Sequence, residues 1–389
     1  MSLLFLAHRV PFPPDRGDKI RSFHILQYLA KRTPVHLVTF GEDDADPEPP
    51  ATFTDMLASC TIIPRRKSQA RAAVEALATG RSVSLAAFHS RALGLALAQV
   101  RKQNAIRATF VFSGQMAQYL LPGEPAIMDF VDVDSAKFAG YGDDARGPMR
   151  WMMRREARLL GAFERDIAAR ISASLFVSEA EAALFRAGGA QGRVLAVENG
   201  IDSAKFDPAV AYEKLEAAGP LIVFTGQMDY RPNVDAVTWF ARDILPLIRC
   251  RHPARFAIVG RAPTAAVQAL ASGDVIVTGA VDDVRGWLTA ADVCVAPLKL
   301  ARGIQNKVLE AMAMARPVVA SAAAAEGIDH AGTIRVADDA QGFAERVVDL
   351  LDEPAAATAL GTAARAQVIA RYGWDARLTP LDALLGLAA

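Results

Sequence analysis

Short runs of β-branched and leucine-rich residues alternate with longer stretches of helical apolar periodicity along the whole chain, the pattern of parallel sheets wrapped by helices. In the first half, residues 3–7, 35–40, 61–64, 109–112, 126–130, 175–178 and 194–198 read as strands. The second half restarts with 221–225, 256–259, 275–278, 293–296, 317–320 and 333–336. Two α/β sheets are therefore expected. Between them, a polar turn over 198–208 and a loosely patterned stretch through Gly219-Pro220 break both periodicities. The expected division is 1–204, then 205–373, then a short amphipathic helix over 374–389 that either domain can accommodate, including by packing back on the first.

Composition narrows the class. A chain of 389 residues with 52% hydrophobic content holds two sizeable cores and excludes a disordered scaffold. Lys+Arg and Asp+Glu number 43 each, so no net field draws in a polyanion, and no nucleic-acid partner is expected. Cys60, Cys250 and Cys294 lie far apart, with no short-spaced pair and no histidine cluster beside them, so neither a disulfide framework nor a zinc site is legible, and a reducing cytoplasm fits. The apolar run 2–7 is too short for a signal segment. No stretch reaches the ~18 apolar residues of a spanning helix. The protein is expected to be neither secreted by that route nor threaded through a bilayer.

Open parallel sheets bind ligands at the carboxyl ends of their strands, so chemistry is expected in the strand-to-helix loops. The most informative segment is 297–313, which joins the strand at 293–296 to a helix starting near Gln305. Gly303 and Ile304 offer backbone amides before the helix, and Lys307 adds a cation one turn in, together a site for a diphosphate. Three residues later, Glu310 can accept two hydrogen bonds from vicinal ribose hydroxyls. An ordinary amphipathic helix with a surface Lys and Glu has the same pattern.

Lys307-Val-Leu-Glu310-Ala-Met-Ala resembles the nucleotide-binding helix of GT-B glycosyltransferases, in particular the family-four class that uses sugar nucleotides. Glu198-Asn-Gly-Ile-Asp202 is similar to the interdomain signature of that family, 226–233 to the first loop of its nucleotide domain, and 291–297 to the strand before the site. The opening segment 9–22 is similar to bacterial sugar transferases associated with exopolysaccharide and exosortase loci. The resemblance implies a GT-B fold, with two Rossmann-like doubly wound domains facing a cleft. It also implies a nucleoside-diphosphate-sugar donor, a glycan or polyprenyl-diphosphate-linked acceptor and retention of configuration. A non-catalytic nucleotide or sugar sensor and a sugar-nucleotide 2-epimerase on the same fold stay open. Many members carry two glutamates seven residues apart. Here the second is Glu310 and the first position is Arg302, which either meets a phosphate or an acidic sugar or faces solvent.

Other candidates follow from position. Gly226, Arg231 and Arg261 lie in the loops after 221–225 and 256–259, where a cation could meet a leaving diphosphate; either arginine could instead be a surface residue, Arg231 beside Pro232 before Arg261. In the first half, Gly17 precedes a helix over 18–31 and the resemblance places its loop toward donor phosphate and acceptor, while a plain turn glycine explains it as well. His8, Asp132 and Asp134 follow strand ends and are candidate acceptor-side or base residues, against packing and capping roles. The Asp-x-Asp string would hold a divalent metal in the other major transferase fold. A GT-B enzyme needs none, so no metal and no cofactor are expected. Finally, 146–165 reads as one helix with Arg150, Arg154 and Arg158 in register beside Trp151. It could rest on the anionic inner face of a membrane, making a cytoplasmic protein peripheral, or be a packed helix with a solvated basic stripe.

Overall fold

The computed structural model describes residues 2–14, 17–42, 49–212, 219–301 and 304–387. The chain folds as two units, Met1–Asn199 with Arg377–Ala389, and Gly200–Ala376. The division falls inside the 198–208 turn. Residues after Asn199 join the second unit because Ile201 bridges Gly373 and its N–H donates to the Tyr372 carbonyl at 2.7 Å. A Cβ on Gly200 would lie 2.6 Å from the Trp374 backbone, so only glycine permits that approach.

The first unit holds a seven-stranded parallel sheet in the order β3-β2-β1-β4-β5-β6-β7, with β1 Ser2–Ala7, β2 Val35–Glu42, β3 Ser59–Arg65, β4 Ile106–Phe112, β5 Ala126–Val131, β6 Ala173–Phe176 and β7 Val194–Ala196. Every residue of β1 is buried, as a central parallel strand covered on both faces must be. Phe130 stacks on Phe176 with centroids 5.5 Å apart, and Phe185 closes the cluster from the adjoining helix. β6 ends two residues short of its predicted 178 because Ser178 caps the helix Glu179–Ala187, its hydroxyl accepting from the Glu181 N–H.

The second unit holds a six-stranded parallel sheet in the order β10-β9-β8-β11-β12-β13, with β8 Leu221–Thr225, β9 Arg255–Val259, β10 Val275–Gly279, β11 Val293–Ala296, β12 Val318–Ala320 and β13 Arg335–Val336. In each unit the order reverses beside the first strand, between β1 and β4 and between β8 and β11. Such a switch point leaves a crevice at the strand ends.

Two helix expectations change. The predicted 374–389 helix is two short helices, Trp374–Leu378 and Pro380–Leu385, because Pro380 cannot continue the first and starts the second. Asp382 of the second accepts from the Tyr28 hydroxyl at 2.7 Å and lies 3.2 Å from Arg32, which attaches this tail to the first unit. The basic helix runs Gly147–Ala168, three residues past its predicted end. Its glutamates Glu156 and Glu164 are buried and serve other helices: Glu156 accepts from the Ser82 hydroxyl and the Val83 and Ser84 amides, Glu164 from the Ser135 amide.

Candidate functional site

In the second unit the loops after β8, β9, β10 and β11 converge on a cavity of about 570 Å³. Its lining includes Gly226, Gln227, Asn233, Arg261, Ile304, Lys307 and Glu310. The loops lie flush because two glycines meet: a Cβ on Gly260 would sit 1.7 Å from the Gly226 carbonyl oxygen. The Gly226 N–H donates to Val259 and the Met228 N–H to Arg261, which extends the β8–β9 pairing into the loops.

The helix Asn306–Ala313 starts at this cavity. Val308, Leu309, Ala311, Met312 and Ala313 are buried and fix it against the sheet. Gln305 occupies the cap position with no side-chain hydrogen bond to the helix, and its carbonyl accepts from the Val308 and Leu309 N–H groups, so the amides ahead of them, at Asn306 and Lys307, are the ones placed to meet an anion. On the side facing the cavity stand Lys307 in the first turn and Glu310 in the next. The Lys307 ammonium donates to Asn233 Oδ1 at 2.6 Å and lies 4.6 Å from the centre of the Phe224 ring. Burial lowers its pKa to about 8, opposed by the Glu310 charge. Glu310 has no hydrogen-bond partner among the described residues, and burial raises its pKa to about 7 against the pull of Lys205 and Lys307. A half-buried carboxylate left unpaired at a cavity wall is an acceptor awaiting donors.

Arg261 lines the same cavity and donates to the Gln227 side chain at 3.0 Å. Arg231 does not line it: its side chain is 92% exposed and lies 3.7 Å from Asp235, its own helical neighbour. Gly226 and Ile304 line the cavity, while Arg302 and Gly303 lie outside the described residues. Asn233 and Gln227 were not singled out from the sequence. The signal for Asn233 was present, since it shares a helical stripe with Ala236, Val237 and Phe240, all fully buried, and an amide on an apolar stripe needs a polar partner.

In the first unit, His8, Asp132 and Asp134 come to the ends of the strands β1 and β5. His8 Nε2 lies 3.3 Å from Asp18, which also meets Arg9 at 3.1 Å. Burial works to raise the Asp18 pKa, but the His8 hydrogen bond and the Arg9 charge outweigh it and hold the carboxyl at about 2. Asp132 and Asp134 share Lys137, at 2.6 and 3.5 Å, and Gln115 donates to Asp134 at 3.2 Å. Desolvation raises the pKa of Asp134, while Lys137 lowers it.

The segment carrying this pair is held by carboxylates at alternate residues. The Val131 N–H donates to Asp129 at 3.0 Å, the Val133 N–H to Glu181 at 2.7 Å and the Ser135 N–H to Glu164 at 3.1 Å. Val131 has φ 71°, a conformation a β-branched residue adopts only under constraint. Asp129 supplies it, and is itself fully buried against Arg21 at 2.9 Å. Gly17 is the exposed first residue of the helix Gly17–Ala30, and a Cβ there would meet nothing within 4 Å, so packing does not demand the glycine. Among the described residues no group of three or more His, Cys, Asp or Glu side chains could hold a metal ion.

Residues 219–353 match the family model described as Glycosyl transferases group 1. No curated protein matches the chain by sequence. Among solved structures, sucrose-phosphate synthase from Thermosynechococcus elongatus is similar, with TM-score 0.57 at 17% identity over 99% of this chain and 98% of that one. HepE of Anabaena, solved in complex with UDP, aligns with TM-score 0.56 at 14% identity over 99% of this chain and 100% of its own. WaaG, a glycosyltransferase involved in lipopolysaccharide biosynthesis, aligns with TM-score 0.56 at 16% identity over 99% and 100% of the two chains. At these identities the structural likeness speaks for the fold, and the family match for the domain that holds the cavity. Residues 219–353 thus match the group 1 glycosyltransferase domain, and the whole chain has the GT-B fold.

Proposed function

We propose that the protein transfers a sugar from a nucleoside-diphosphate donor to a hydroxyl of a glycan or lipid-linked acceptor, with retention, in exopolysaccharide or other cell-surface glycan synthesis. The observation that carries this reading is the pairing of an ammonium and a carboxylate with no partner among the described residues, Lys307 and Glu310, on the first two turns of a helix that opens on the cavity. A diphosphate needs cations and N–H donors, supplied by Lys307, Arg261 and the amides of Asn306 and Lys307 at the helix start. A ribose needs an acceptor for two hydroxyls, supplied by Glu310. These groups would stabilise the charge that grows on the diphosphate as the glycosidic bond breaks. Arg302, Gly303 and Gly17 remain proposed donor contacts, and His8, Asp132 and Asp134 proposed acceptor-side groups. With positive charge already built into the site, no divalent metal is required, and turnover should persist in EDTA.

The nucleoside is sought by thermal unfolding with UDP, GDP, ADP and TDP in turn. HepE holds UDP and UDP-glucose in its solved complexes, so UDP is the first to try. A ligand at ~100 times its dissociation constant adds ~2.7 kcal/mol. A shift with one nucleotide that is lost in Glu310→Ala supports the site; no shift with any of the four at millimolar concentration removes the donor assignment. A 2-epimerase is the second reading, favoured by the gathering of His8, Asp18, Asp132 and Asp134 at one sheet edge. An epimerase converts donor with no acceptor present, a transferase does not, and a sensor binds without consuming it.

No helix among the described residues is long and apolar enough to cross a membrane. Contact with an acceptor on lipid would fall to the helix Gly147–Ala168. Arg150, Arg154, Arg158 and Arg165 stand there beside the exposed Met149 and Trp151, while Glu156 and Glu164 are buried. That leaves a face with basic and aromatic character suited to the anionic cytoplasmic surface of the inner membrane. Flotation with anionic but not zwitterionic vesicles, lost in high salt, is the expected result.

A further inference from the structure

We propose that Asn233 is the positioning residue of the diphosphate site, fixing the Lys307 ammonium at the cavity and tying it to the loop after β8. This rests on the reading of Lys307 as the diphosphate cation.

Asn233 stands in the first turn of the helix Arg231–Trp239, is only 5% exposed, and makes two contacts of opposite polarity. Its Oδ1 accepts from Lys307, and its Nδ2 donates to the Gln227 carbonyl at 2.9 Å. The chemistry fixes this orientation, because the flipped amide would set its NH2 against an ammonium and its oxygen against a carbonyl. Gly226 makes room for it: a Cβ there would lie 2.8 Å from Asn233 Nδ2. Among the described residues Asn233 is the only hydrogen-bond acceptor of the Lys307 side chain, so two of the three ammonium donors are left for a ligand.

A lysine stem has four rotatable bonds, and an ammonium without a fixed partner must be ordered by the ligand at a cost in affinity. Asn233 removes that cost without neutralising the charge, which an aspartate at the same place would do. The amide also couples the two cations of the cavity, since the Gln227 whose backbone it holds receives Arg261 through its side chain. The other groups acting on Lys307 are Glu310, one turn along its own helix, and the Phe224 ring beneath it, with Lys205 acting in turn on Glu310.

The test is calorimetric titration of wild-type, Asn233→Ala and Asn233→Asp proteins with UDP, or with whichever of GDP, ADP and TDP shifts the wild-type unfolding, from pH 7 to 9. Lys307→Arg assigns the alkaline limb, which should vanish when the titrating ammonium is replaced. In wild type, affinity should fall as pH rises through the Lys307 range near 8. Asn233→Ala leaves the ammonium unsupported in a partly buried place. Affinity at pH 7 should drop about tenfold and the midpoint should move down by about one unit. Asn233→Asp should move the midpoint up, while binding weakens because the new carboxylate repels the diphosphate. A purely structural asparagine predicts weaker binding at every pH with the midpoint unmoved, and that result overturns the proposal. Should Asn233→Ala fail to fold, the direction of the Asn233→Asp midpoint decides alone. If wild type binds none of the four nucleotides, the donor reading falls and the positioning role with it. If wild type binds and the variants match it, only the positioning role falls.

Discussion

The two units gather charged residues at the same place in their topology, the carboxyl ends of strands near the point where sheet order reverses, yet they treat the charges in opposite ways. In the first unit the charges satisfy one another: Asp18 is held between His8 and Arg9, and Asp132 and Asp134 share Lys137. In the second, Glu310 has no hydrogen-bond partner among the described residues and Lys307 has a single neutral one. Self-satisfied charges stabilise the fold, whereas desolvated and underpaired charges destabilise it and are relieved when a ligand arrives. The difference marks the second unit as the part built to receive a polar, doubly functional ligand. In the first unit, a ligand at these carboxylates would have to displace contacts that already exist.

The largest effect should come from removing the underpaired groups. Glu310→Ala and Lys307→Ala should each lower donor turnover by about 10²–10³, the scale of losing one preorganised partner of a charge developing in the transition state or two charge-assisted hydrogen bonds to the ribose. Asp132→Asn or Asp134→Asn should cost less at the donor step, because Lys137 and Gln115 already occupy those carboxylates. Initial rates with the donor found by thermal unfolding decide this. Losses larger at Asp134 than at Glu310 would reverse the comparison and favour the epimerase.

Stability should respond with opposite signs in the two units. The Glu310 carboxyl is raised to about 7 in the folded chain. A raised acid favours the folded state when protonated, so its penalty is absent below the unfolded carboxylate range near 4.3 and complete once pH exceeds 7. Glu310→Gln should therefore stabilise the free protein at pH 8 by about 2 kcal/mol, with little change at pH 4.5. Asp18 runs the other way. Its carboxyl is lowered to about 2, so its contribution is present above the unfolded value near 3.9 and is lost as pH falls through 2. Asp18→Asn should cost about 1–2 kcal/mol at pH 7, after discounting for its partial exposure. Denaturant unfolding at the two pH values checks both signs, and a destabilised Glu310→Gln at pH 8 would mean that the carboxylate has a partner after all.

Much of this was legible in the sequence, for identifiable reasons. Buried parallel strands are near-continuous apolar runs, so all thirteen strands of the two sheets fall on predicted segments, with edges shifted where a cap such as Ser178 takes the end of a run. Lys307 and Glu310 could be found because they occupy the polar side of a helix whose other face is apolar. Asn233 could not be assigned a role that way. Its function depends on a lysine 74 positions later, and no local period carries that pairing. The carboxylates that hold the Asp132–Asp134 segment were hidden for the same reason: Glu181 and Glu164 look like ordinary helix-surface acids until the fold brings them to the backbone of β5's exit. The break before Pro380 was the reverse case, a local signal outweighed by the apolar pattern on either side of it.

The smallest effect separates two arginines that the sequence treats alike. Arg231 and Arg261 both follow strand ends of the second unit, but only Arg261 reaches the cavity, where it is tied to Gln227, while Arg231 stands in solvent beside Asp235. A cation at the wall acts on the diphosphate at short range, partly shielded from water. One in open solvent acts through high dielectric and counterions, where an exposed pair is worth roughly 0–1 kcal/mol. Arg261→Ala should therefore weaken nucleoside-diphosphate binding about threefold to tenfold at low salt, with the loss largely retained in about 0.5 M salt. Arg231→Ala should change it by less than about twofold, and that remnant should vanish in salt. Equal losses for the two would mean that the loop after β8 rearranges on binding and carries Arg231 to the ligand, leaving the underpaired cavity of the free protein as only part of the site that the donor meets.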